Sequence, residues 1–569
     1  MKKRIQILVV ALALMLSLEA RTQVTYIITN NAVTVTGPVY SVGAVIIPDT
    51  INGYPVTSIA DQAFGGFYDI TSVTIPNGVT NIGYDAFDWC VRMTSVNIPN
   101  SVTSIGAQAF LNCESLTDVT IPDSVASIGD SAFYDCYYIT SMTIGKGVTN
   151  IGDSAFVYCG FLTNITVAPE NPEYSSTNGV LFNKAQTTLV AFPQRLGGAY
   201  TIPDSVISIG NEAFEYSILT NVTIPNSVIN IETNAFAYCQ GLANVTLPDS
   251  VTSLGDEAFY DCSHLLSVTI PDSVASIGNQ AFLNCIYLTN INVLPSNPSY
   301  SSVNGVLFDK AQTTLIQFPG GSGGTYTIPK SVTNFGSAFA YCNNLTSVII
   351  GNSVTTIEDE AFNYCLYLTS VTIGNSVTSI GDEAFYGCYS MTSVTISSSV
   401  TNIGNMAFYA CNDLTSAIIP SSVASIGDKA FDECHDLGTV IFLGDAPVLG
   451  GDSVFKNDSD PPSGYDTATI YYYSGTTGWG PTYGGLPTVM LNGLSTPPTL
   501  GGGGSGGVGV QFGQFGFPIT AAVGQTIIVE ASTDLLDWQP ISTNILSGSS
   551  VNFTDSDWTN YPHRFYRTR

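Results

Sequence analysis

Hydrophobic and polar positions alternate over short stretches that recur along most of the 569-residue chain. In one such stretch, Val119 and Ile121 flank the polar Thr120, and Leu116 precedes them. A period of two in β-branched residues predicts a short strand. Pro122 follows directly, and because proline cannot donate to a strand ladder, we expect the strand to end there.

The remaining apolar residues of this stretch predict a closed coil. Val125 and Ile128 are spaced to point inward from a turn, and Gly129 allows a sharp change of direction. The segment 132–136 then closes the coil, and we expect it to form a short helical turn. A single unit cannot bury its apolar residues alone, so units must stack, about 4.8 Å apart, to share a core.

The repeat unit reads L-x-x-V-x-I-P-x-S-V-x-x-I-G-x-x-A-F-x-x-C, with a usual step of 23 residues. Its Ala-Phe dipeptide marks the coils at Phe64, Phe87, Phe110, Phe133, Phe156, Phe214, Phe236, Phe259, Phe282, Phe339, Phe362, Phe385, Phe408 and Phe431. This regularity predicts an α/β, β-rich solenoid, with a parallel β-sheet on the concave face and short helical turns on the convex face.

Two longer units interrupt the repeat, at about 169–200 and 295–327. They are near copies that begin at Pro169 and Pro295, 126 residues apart. Each contains an Asn-Gly dipeptide, at 178–179 and 304–305, which is a strong hairpin signal. We expect each to be a repeat enlarged by a β-hairpin that projects from one face.

The two ends of the chain predict further segments. Three basic residues precede an apolar run at 5–18, which is typical of a secretory signal peptide; the alternative is a retained anchor, for which the run is short. Near the other end, a Gly-rich stretch precedes a region of different composition. The predicted segments are a signal peptide at 1–23, a solenoid with caps at 24–495, a linker at 496–507 and a small β domain at 508–569.

Charge narrows the range of partners. The formal net charge is −29, although only 10% of residues are charged, because Lys and Arg are scarce. Such a surface repels phosphate backbones, so we expect no nucleic-acid partner and no anionic membrane surface. After signal cleavage we expect no integral membrane span.

The repeat unit resembles that of a known family. L-x-x-V-x-I followed by a small polar residue is similar to the leucine-rich repeat, and the 23-residue I-P-x-S-V-x-x-I-G-x-x-A-F-x-x-C form resembles the BspA-like class of bacterial surface proteins. The resemblance extends from about residue 24 to 492. It departs from the general pattern in placing Ser or Gly where Asn usually forms a ladder. It implies a secreted or cell-surface protein with interleaved long units.

Every cysteine lies three residues after an Ala-Phe dipeptide. Stacking would place successive cysteines about 4.8 Å apart, within the Cα range of a disulfide. Ladder side chains run parallel, however, and runs of three and five cannot pair completely, so we predict buried free thiols with a packing role. Zinc would need ligands that converge from several directions. The cysteines are Cys90, Cys113, Cys136, Cys159, Cys239, Cys262, Cys285, Cys342, Cys365, Cys388, Cys411 and Cys434.

Other candidate chemistry is weak. His264 and His435 adjoin the cysteine column, and His563 lies in the C-terminal region, without a metal or nucleophile motif. G-x-S-x-G occurs at 320–324 and 503–507, in Gly-rich loops that lack the strand, turn and helix of a nucleophile elbow. An acidic column could hold calcium but is better interpreted as a solvated face: Asp130, Asp153, Asp256, Asp359, Asp382 and Asp428. We therefore predict no catalytic residue, metal or cofactor.

The outward positions of the predicted sheet remain as candidate binding residues. They are Ser72, Thr74, Thr120, Ser141, Thr143, Asn221, Thr223, Asn244, Thr246, Ser370, Thr372, Ser393 and Thr395. This array of hydroxyls and amides serves solubility or makes weak, repeated contacts with a ligand. The leading hypothesis is a non-enzymatic, adhesin-like protein that binds an extracellular protein or polysaccharide. The alternative is a structural envelope protein or a self-assembling surface protein, held by its C-terminal module.

Overall fold

The computed structural model describes residues 24–39, 42–451, 453–455 and 468–491, together with the strands of the C-terminal segment. The predicted signal peptide and linker lie outside these residues. The chain divides into two compact units: a solenoid unit that extends to Val489, and a C-terminal unit of 490–569 that also includes 472–476. Across the described ranges, no helix is long and apolar enough to cross a membrane.

Each regular coil contributes two strands, and equivalent strands of successive coils pair in parallel. Asp118–Ile121 pairs with Ser141–Ile144, and Ser127–Ile128 pairs with Asn150–Ile151. The 23-residue step therefore places matching positions side by side, as the repeat predicts. We call the two series the long-strand ladder and the short-strand ladder.

The long-strand ladder consists of separate parallel sheets. In chain order its strands are Val42–Ile46, Asp69–Thr74 and Ser95–Asn97; Asp118–Ile121, Ser141–Ile144 and Asn164–Val167; Gly198–Thr201, Leu219–Thr223, Asn244–Thr246, Ser267–Ile270 and Asn290–Val293; Gly324–Thr327, Leu345–Ile349, Ser370–Thr372, Ser393–Thr395, Ser416–Ile419 and Thr439–Phe442. Further strands lie at Thr469–Tyr473, Thr482–Tyr483 and Leu486–Leu491.

The short-strand ladder starts at an N-terminal hairpin, in which Val24–Thr29 and Ala32–Pro38 pair antiparallel. The second hairpin strand pairs in parallel with Tyr54–Ile59, which also pairs with Thr50–Ile51. The strands that follow are Asn81–Ile82, Ser104–Ile105, Ser127–Ile128 and Asn150–Ile151; Ser208–Ile209, Asn230–Ile231, Ser253–Leu254 and Ser276–Ile277; Thr356–Ile357, Ser379–Ile380, Asn402–Ile403, Ser425–Ile426 and Val448–Leu449.

The Ala-Phe segment closes each coil with overlapping turns. The N–H of Phe110 donates to the carbonyl of Ala132 at 2.8 Å, and the N–H of Gln108 donates to that of Asp130 at 2.8 Å. Gln108 and Asn112 have left-handed backbones, with φ of 57° and 56°. The predicted helical turns are absent from the described residues, because alternate N–H groups donate to the next coil instead of to a carbonyl four residues back.

The core divides into three clusters, which define three blocks. Block one extends from Val24 to Val167, block two from Val180 to Val293, and block three from Val306 to Leu486. Inside a block the Ala-Phe rings stack in parallel: neighbouring rings from Phe64 to Phe133 have centroids 5.0–5.1 Å apart at 8°. Phenylalanine thus forms a continuous column in each block.

The blocks meet at the two long units, where the predicted hairpins occur. In the first long unit Tyr174–Thr177 pairs antiparallel with Val180–Asn183, followed by Thr188–Ala191; in the second, Tyr300–Val303 pairs with Val306–Asp309, followed by Leu315–Gln317. The hairpins do not project as expected. Leu181 belongs to the core of block one whereas Val180 and Phe182 belong to that of block two, because apolar side chains leave both faces of the strand.

The C-terminal unit contains six strands in two antiparallel sheets within its described residues. Gln514–Thr520 lies between Gly509–Gln511 and Ser550–Asp555 in one sheet, and Thr526–Ser532 lies between Gln539–Ile545 and Phe565–Thr568 in the other.

Candidate interaction surface

The long-strand ladder presents one polar face, which we call the long-strand face and which corresponds to the predicted concave sheet. In Asp118–Ile121, Val119 and Ile121 are buried in the core, whereas Asp118 and Thr120 are exposed. Thr120 pairs in register with Thr143, which pairs with Thr166. Alternation along the strand and register across strands therefore arrange the polar side chains in columns.

All thirteen predicted binding residues lie on this face. Ser72, Ser141, Ser370 and Ser393 are half-buried, and the other nine are exposed. The structure pairs Asn221 with Asn244, Thr223 with Thr246, Ser370 with Ser393 and Thr372 with Thr395. Because these residues are distributed over separate sheets, they form column segments within the blocks rather than one continuous array.

Hydrogen bonds engage part of each column. Ser141 Oγ donates to Asp118 Oδ1 at 2.8 Å, and a hydrogen bond of 3.1 Å joins Ser370 Oγ to Ser347 Oγ. Within the described chain, the hydroxyls of Thr120 and Thr143 make no hydrogen bond to protein. Those two hydroxyls are thus accessible to a ligand.

The acidic column has a structural role that the sequence did not reveal. Asp359 Oδ1 accepts the backbone N–H of Asp382 at 2.8 Å, and Asp382 Oδ1 accepts that of Asn405 at 2.7 Å. Each side chain thereby satisfies one N–H of the next coil. Over the described ranges, no group of three His, Cys, Asp or Glu side chains could hold a metal ion.

The cysteines form a buried ladder, as predicted, and all twelve are free. Cys136 Sγ donates to the carbonyl of Phe110 at 3.1 Å, and Cys262 Sγ donates to that of Phe236 at 3.1 Å. Burial raises the pKa of Cys159 and of Cys365 to about 12. Since the thiolate is the nucleophile, these thiols are unsuited to catalysis.

The described histidines contact an aromatic ring and a carboxylate, and the described glycine-rich loop contacts a backbone carbonyl. The ring of His264 lies 5.6 Å from that of Tyr287, and His435 Nε2 lies 3.5 Å from Glu433 Oε2. Ser322, in the 320–324 loop, donates its hydroxyl to the carbonyl of Thr289. His563 and the 503–507 loop lie outside the described residues.

Sequence reasoning missed an aromatic cluster next to the first long unit. The rings of Tyr137, Tyr138 and Phe161 lie 5.2–5.4 Å from one another, and the Arg195 guanidinium lies 5.2 Å from the Phe161 centroid. Tyr138 is 49% exposed. The signal was available, because Tyr138 and Phe161 occupy the same position, two residues after a cysteine.

Stacked coils with two parallel strand ladders and an internal phenylalanine column define a repeat solenoid. The chain belongs to the BspA type leucine rich repeat family: the family model matches six copies over residues 55–184, 198–320 and 326–460, which is well over half of the chain. The gaps between these three ranges fall in the two long units, where the core also divides.

The chain is similar to three solved structures of bacterial proteins. A leucine-rich cell surface protein from Faecalibacterium prausnitzii is 28% identical over 76% of this chain and 97% of that chain, with a TM-score of 0.39. A leucine-rich repeat protein from Eubacterium ventriosum is 25% identical over 68% and 93%, with a TM-score of 0.36. The pneumococcal vaccine antigen PcpA is 18% identical over 80% and 93%, with a TM-score of 0.29. No curated protein matches the chain.

Proposed function

We propose that the protein is a secreted or cell-surface interaction protein that binds an extracellular protein or polysaccharide through its long-strand face, without catalysing a reaction. The supporting observation is the in-register repetition of exposed, uncharged side chains on that face, such as Thr120 beside Thr143 and Thr372 beside Thr395. Identical contacts repeated along a rigid column give avidity from individually weak interactions. The face therefore suits an extended ligand that is itself repetitive.

The chemistry of the reactive side chains supports a binding role over an enzymatic one. The thiols are buried, and burial raises their pKa, so the thiolate population is small. His264 lies against a tyrosine ring and His435 beside a carboxylate, rather than against a nucleophile. Binding, by contrast, requires only exposed polar side chains, and the columns of the long-strand face supply these.

A matched set of substitutions tests the long-strand face. The binding variant combines Thr120→Lys, Thr246→Lys and Thr372→Lys, one in each block. The control variant combines Thr103→Lys, Thr252→Lys and Thr378→Lys, which are exposed threonines next to the short-strand ladder in the same three blocks. Both variants add the same charge, on different faces. The control substitutions also remove one hydrogen bond each, from the threonine hydroxyl to a carbonyl of the preceding coil, so the control is the more demanding of the two for folding.

Binding is measured to arrays of extracellular matrix proteins and polysaccharides. We expect the parent and the control variant to bind the same ligand, and the binding variant to lose most of that binding because bulky ammonium groups obstruct the columns. Equal ligand binding by both variants would show that the ligand contacts a surface other than the long-strand face. Turnover in a hydrolytic screen, without any ligand on the arrays, would contradict the proposal.

A second candidate, a self-assembling envelope protein held by its C-terminal module, is favoured by the separate compact unit at 490–569. Deletion of 508–569 distinguishes the two. If the protein is an adhesin, the truncated chain loses attachment to cells and keeps its ligand. If it is a structural protein, the truncated chain loses its polymeric form, and neither chain has a soluble ligand.

A further inference from the structure

The junction between blocks one and two, which we call the first joint, interrupts the core. Phe156 ends the aromatic column of block one, at 6.3 Å and 25° from Phe133. The column of block two begins with Phe192, whose ring lies 4.9 Å from that of Phe214. Among the ring contacts of the described chain, none joins Phe156 to Phe192, so the regular stacking that stiffens a block is missing here.

The turn ladder also changes at this joint. In the preceding coil the N–H of Phe133 donates to the carbonyl of Ala155 at 3.0 Å. In the last coil of block one, a side chain from block two provides the contact instead: Ser154 Oγ donates to Glu212 Oε2 at 2.6 Å. The rings of Tyr158 and Tyr216 also meet across the joint, with centroids 4.1 Å apart. Side-chain contacts thus replace the turn ladder at this point, while the backbone N–H of Arg195 in block two still donates to the carbonyl of Leu162 in block one at 2.9 Å.

A cavity of about 270 Å³ lies between the two blocks at this point. Phe156 and Asp153 line it from block one, and Phe192, Glu212 and Glu215 line it from block two. The cavity therefore combines an apolar floor with three carboxyl groups.

The carboxyl groups have no basic partner. The ion pairs of the described chain are Arg92–Asp69, Lys146–Asp123 and His435–Glu433, none of which is at the joint. Burial, followed by repulsion from Glu212 and Glu257, raises the pKa of Glu215 to about 8. Burial also raises the pKa of Glu212, with hydrogen bonds from Ser154 acting against it and repulsion from Asp153 adding to it.

Besides Glu257, the other titratable groups that face these carboxyls or line the cavity are tyrosines, including Tyr174. Tyr134, Tyr158, Tyr216 and Tyr238 adjoin the carboxyls or one another. Burial raises the pKa of Tyr134 to about 12, and it raises those of Tyr216 and Tyr238 as well. Because burial raises the pKa values of Tyr134, Tyr216 and Tyr238, these three phenols stay neutral where Glu215 titrates, and the carboxyl groups determine the charge of the joint.

We propose that the first joint is a proton-controlled hinge: blocks one and two pack as one body when Glu212 and Glu215 are protonated, and open at the cavity when both are ionised. Ionised Glu212 and Glu215 would lie close together, half-buried, on the block two side and opposite the exposed Asp153 of block one, which is unfavourable. Opening admits water to the two glutamates and relieves this cost.

The direction of the pH dependence follows from linkage. The closed joint holds the Glu215 proton more tightly than the open joint does, because its pKa is raised above the ordinary 4.5 to about 8. Closure is therefore fully favoured below about pH 4.5 and weakens as the pH rises towards 8. Above that range the carboxyl is ionised in both states and the effect is constant.

The test is hydrogen exchange of the full chain at pH 5 and pH 8, corrected for the intrinsic exchange rate. Amides at 154–158 report the first joint. The junction between blocks two and three supplies the internal control at 280–284, because Ala340 stands there in place of Glu215. We expect opening at 154–158 to increase on the order of tenfold or more at pH 8, as one pKa unit of coupling predicts, and opening at 280–284 to change little.

Two variants isolate the carboxyl. Glu215→Gln keeps the shape of the side chain, and Glu215→Ala gives the first joint the residue of the second junction. If one of these variants fails to fold, the other still tests the proposal. Glu358→Gln, in block three, is the control. We expect both Glu215 variants, but not the control, to lose the pH-dependent opening at 154–158. Equal pH dependence at the two junctions, or its persistence in either folded Glu215 variant, would overturn the proposal.

Discussion

The two long units have nearly the same sequence, and their hairpins have nearly the same contacts. Asn171 is fully buried and uses its whole side chain: Nδ2 donates to the carbonyls of Gly145 and Val148, and Oδ1 accepts the N–H groups of Glu173 and Tyr174. Asn297 in the second long unit makes the four equivalent bonds, at 2.7–2.9 Å.

The coils that follow the two hairpins differ. After the first hairpin come Ile209 and the carboxyls of the first joint, whereas after the second comes Phe335, whose ring lies 5.5 Å from that of Phe339. Gln317 of the second long unit is buried and donates to the carbonyls of Phe318 and Ala338, where the first has Ala191. The second junction thus carries an extra ring and a buried amide, both of which contact residues of block three.

The comparison separates two roles within one segment. The hairpin ends one block and starts the next. In both copies its buried asparagine binds the hairpin to the last coils of the preceding block. The coil after the hairpin differs between the copies, and we expect it to set how tightly the two blocks pack. Substitutions in the shared part should therefore act equally in the two copies, whereas substitutions in the following coil should act on one junction only.

The largest effect is expected from Asn171→Ala and Asn297→Ala. Each removes four hydrogen bonds from buried backbone groups, so we expect a loss of about 3–5 kcal/mol in the stability of the adjoining strands. Denaturant-dependent hydrogen exchange of 141–144 and 267–270 measures it. Asn100→Ala, at an exposed site, is the control. A clear difference between the two losses would show that the hairpins are not equivalent.

A smaller effect is expected from Phe335→Ile, which gives the second junction the residue of the first. Phe335 is buried and also lies 5.7 Å from the ring of Phe362, so the shorter side chain should cost about 1–2 kcal/mol in block three. Equilibrium unfolding followed by exchange of 345–349 measures this. A matched Ile209→Val should weaken block two only. Loss of stability in block two on Phe335→Ile would contradict the assignment.

Tyr174→Phe and Tyr300→Phe test a shared but weaker contact. The hydroxyl of Tyr174 accepts the N–H of Ile151 at 3.1 Å, and that of Tyr300 accepts the N–H of Ile277 at 2.8 Å. Loss of one such bond should cost about 1 kcal/mol in each copy. Exchange of these two amides is the measurement, and Tyr367→Phe, 59% exposed, is the control. Unchanged protection of both amides would exclude the contact.

Much of a regular coil could be predicted from the sequence, because a fixed step places matching residues side by side. Val119, Phe133 and Cys136 are buried for that reason. The turn ladder could not be predicted in the same way. Whether the N–H of Phe110 bonds within its own segment or to Ala132 depends on carbonyls that only the neighbouring coil supplies.

The first joint was even less accessible to sequence reasoning. Ser154 and Glu212 are 58 residues apart and meet only once the hairpin has entered the stack. The sequence pattern identified the hairpin from its Asn-Gly turn, but not that Leu181 and Phe182 would face different cores. The placement of the polar columns on the long-strand face, by contrast, followed from strand alternation and the 23-residue step.

The smallest expected effect concerns a further difference between the copies. The coil after the first hairpin has Ser217 at the cysteine position, and the coil after the second has Cys342. Ser217 is buried, and its Oγ lies 3.2 Å from Cys239 Sγ. Ser217→Cys should change stability by less than about 0.5 kcal/mol, because a small donor replaces another in the same ladder.

The Ser217→Cys variant also tests the cysteine ladder, through a count of the thiols that react with a thiol reagent. Burial raises the pKa of Cys239 to about 12 and removes access, so the folded parent and the folded variant should both react slowly with a thiol reagent. After unfolding without reductant, we expect twelve reactive thiols in the parent and one more in the variant. Rapid reaction of the folded chain would contradict burial. A count near zero after unfolding would mean that the ladder is joined by disulfides, and that its parallel side chains converge after all.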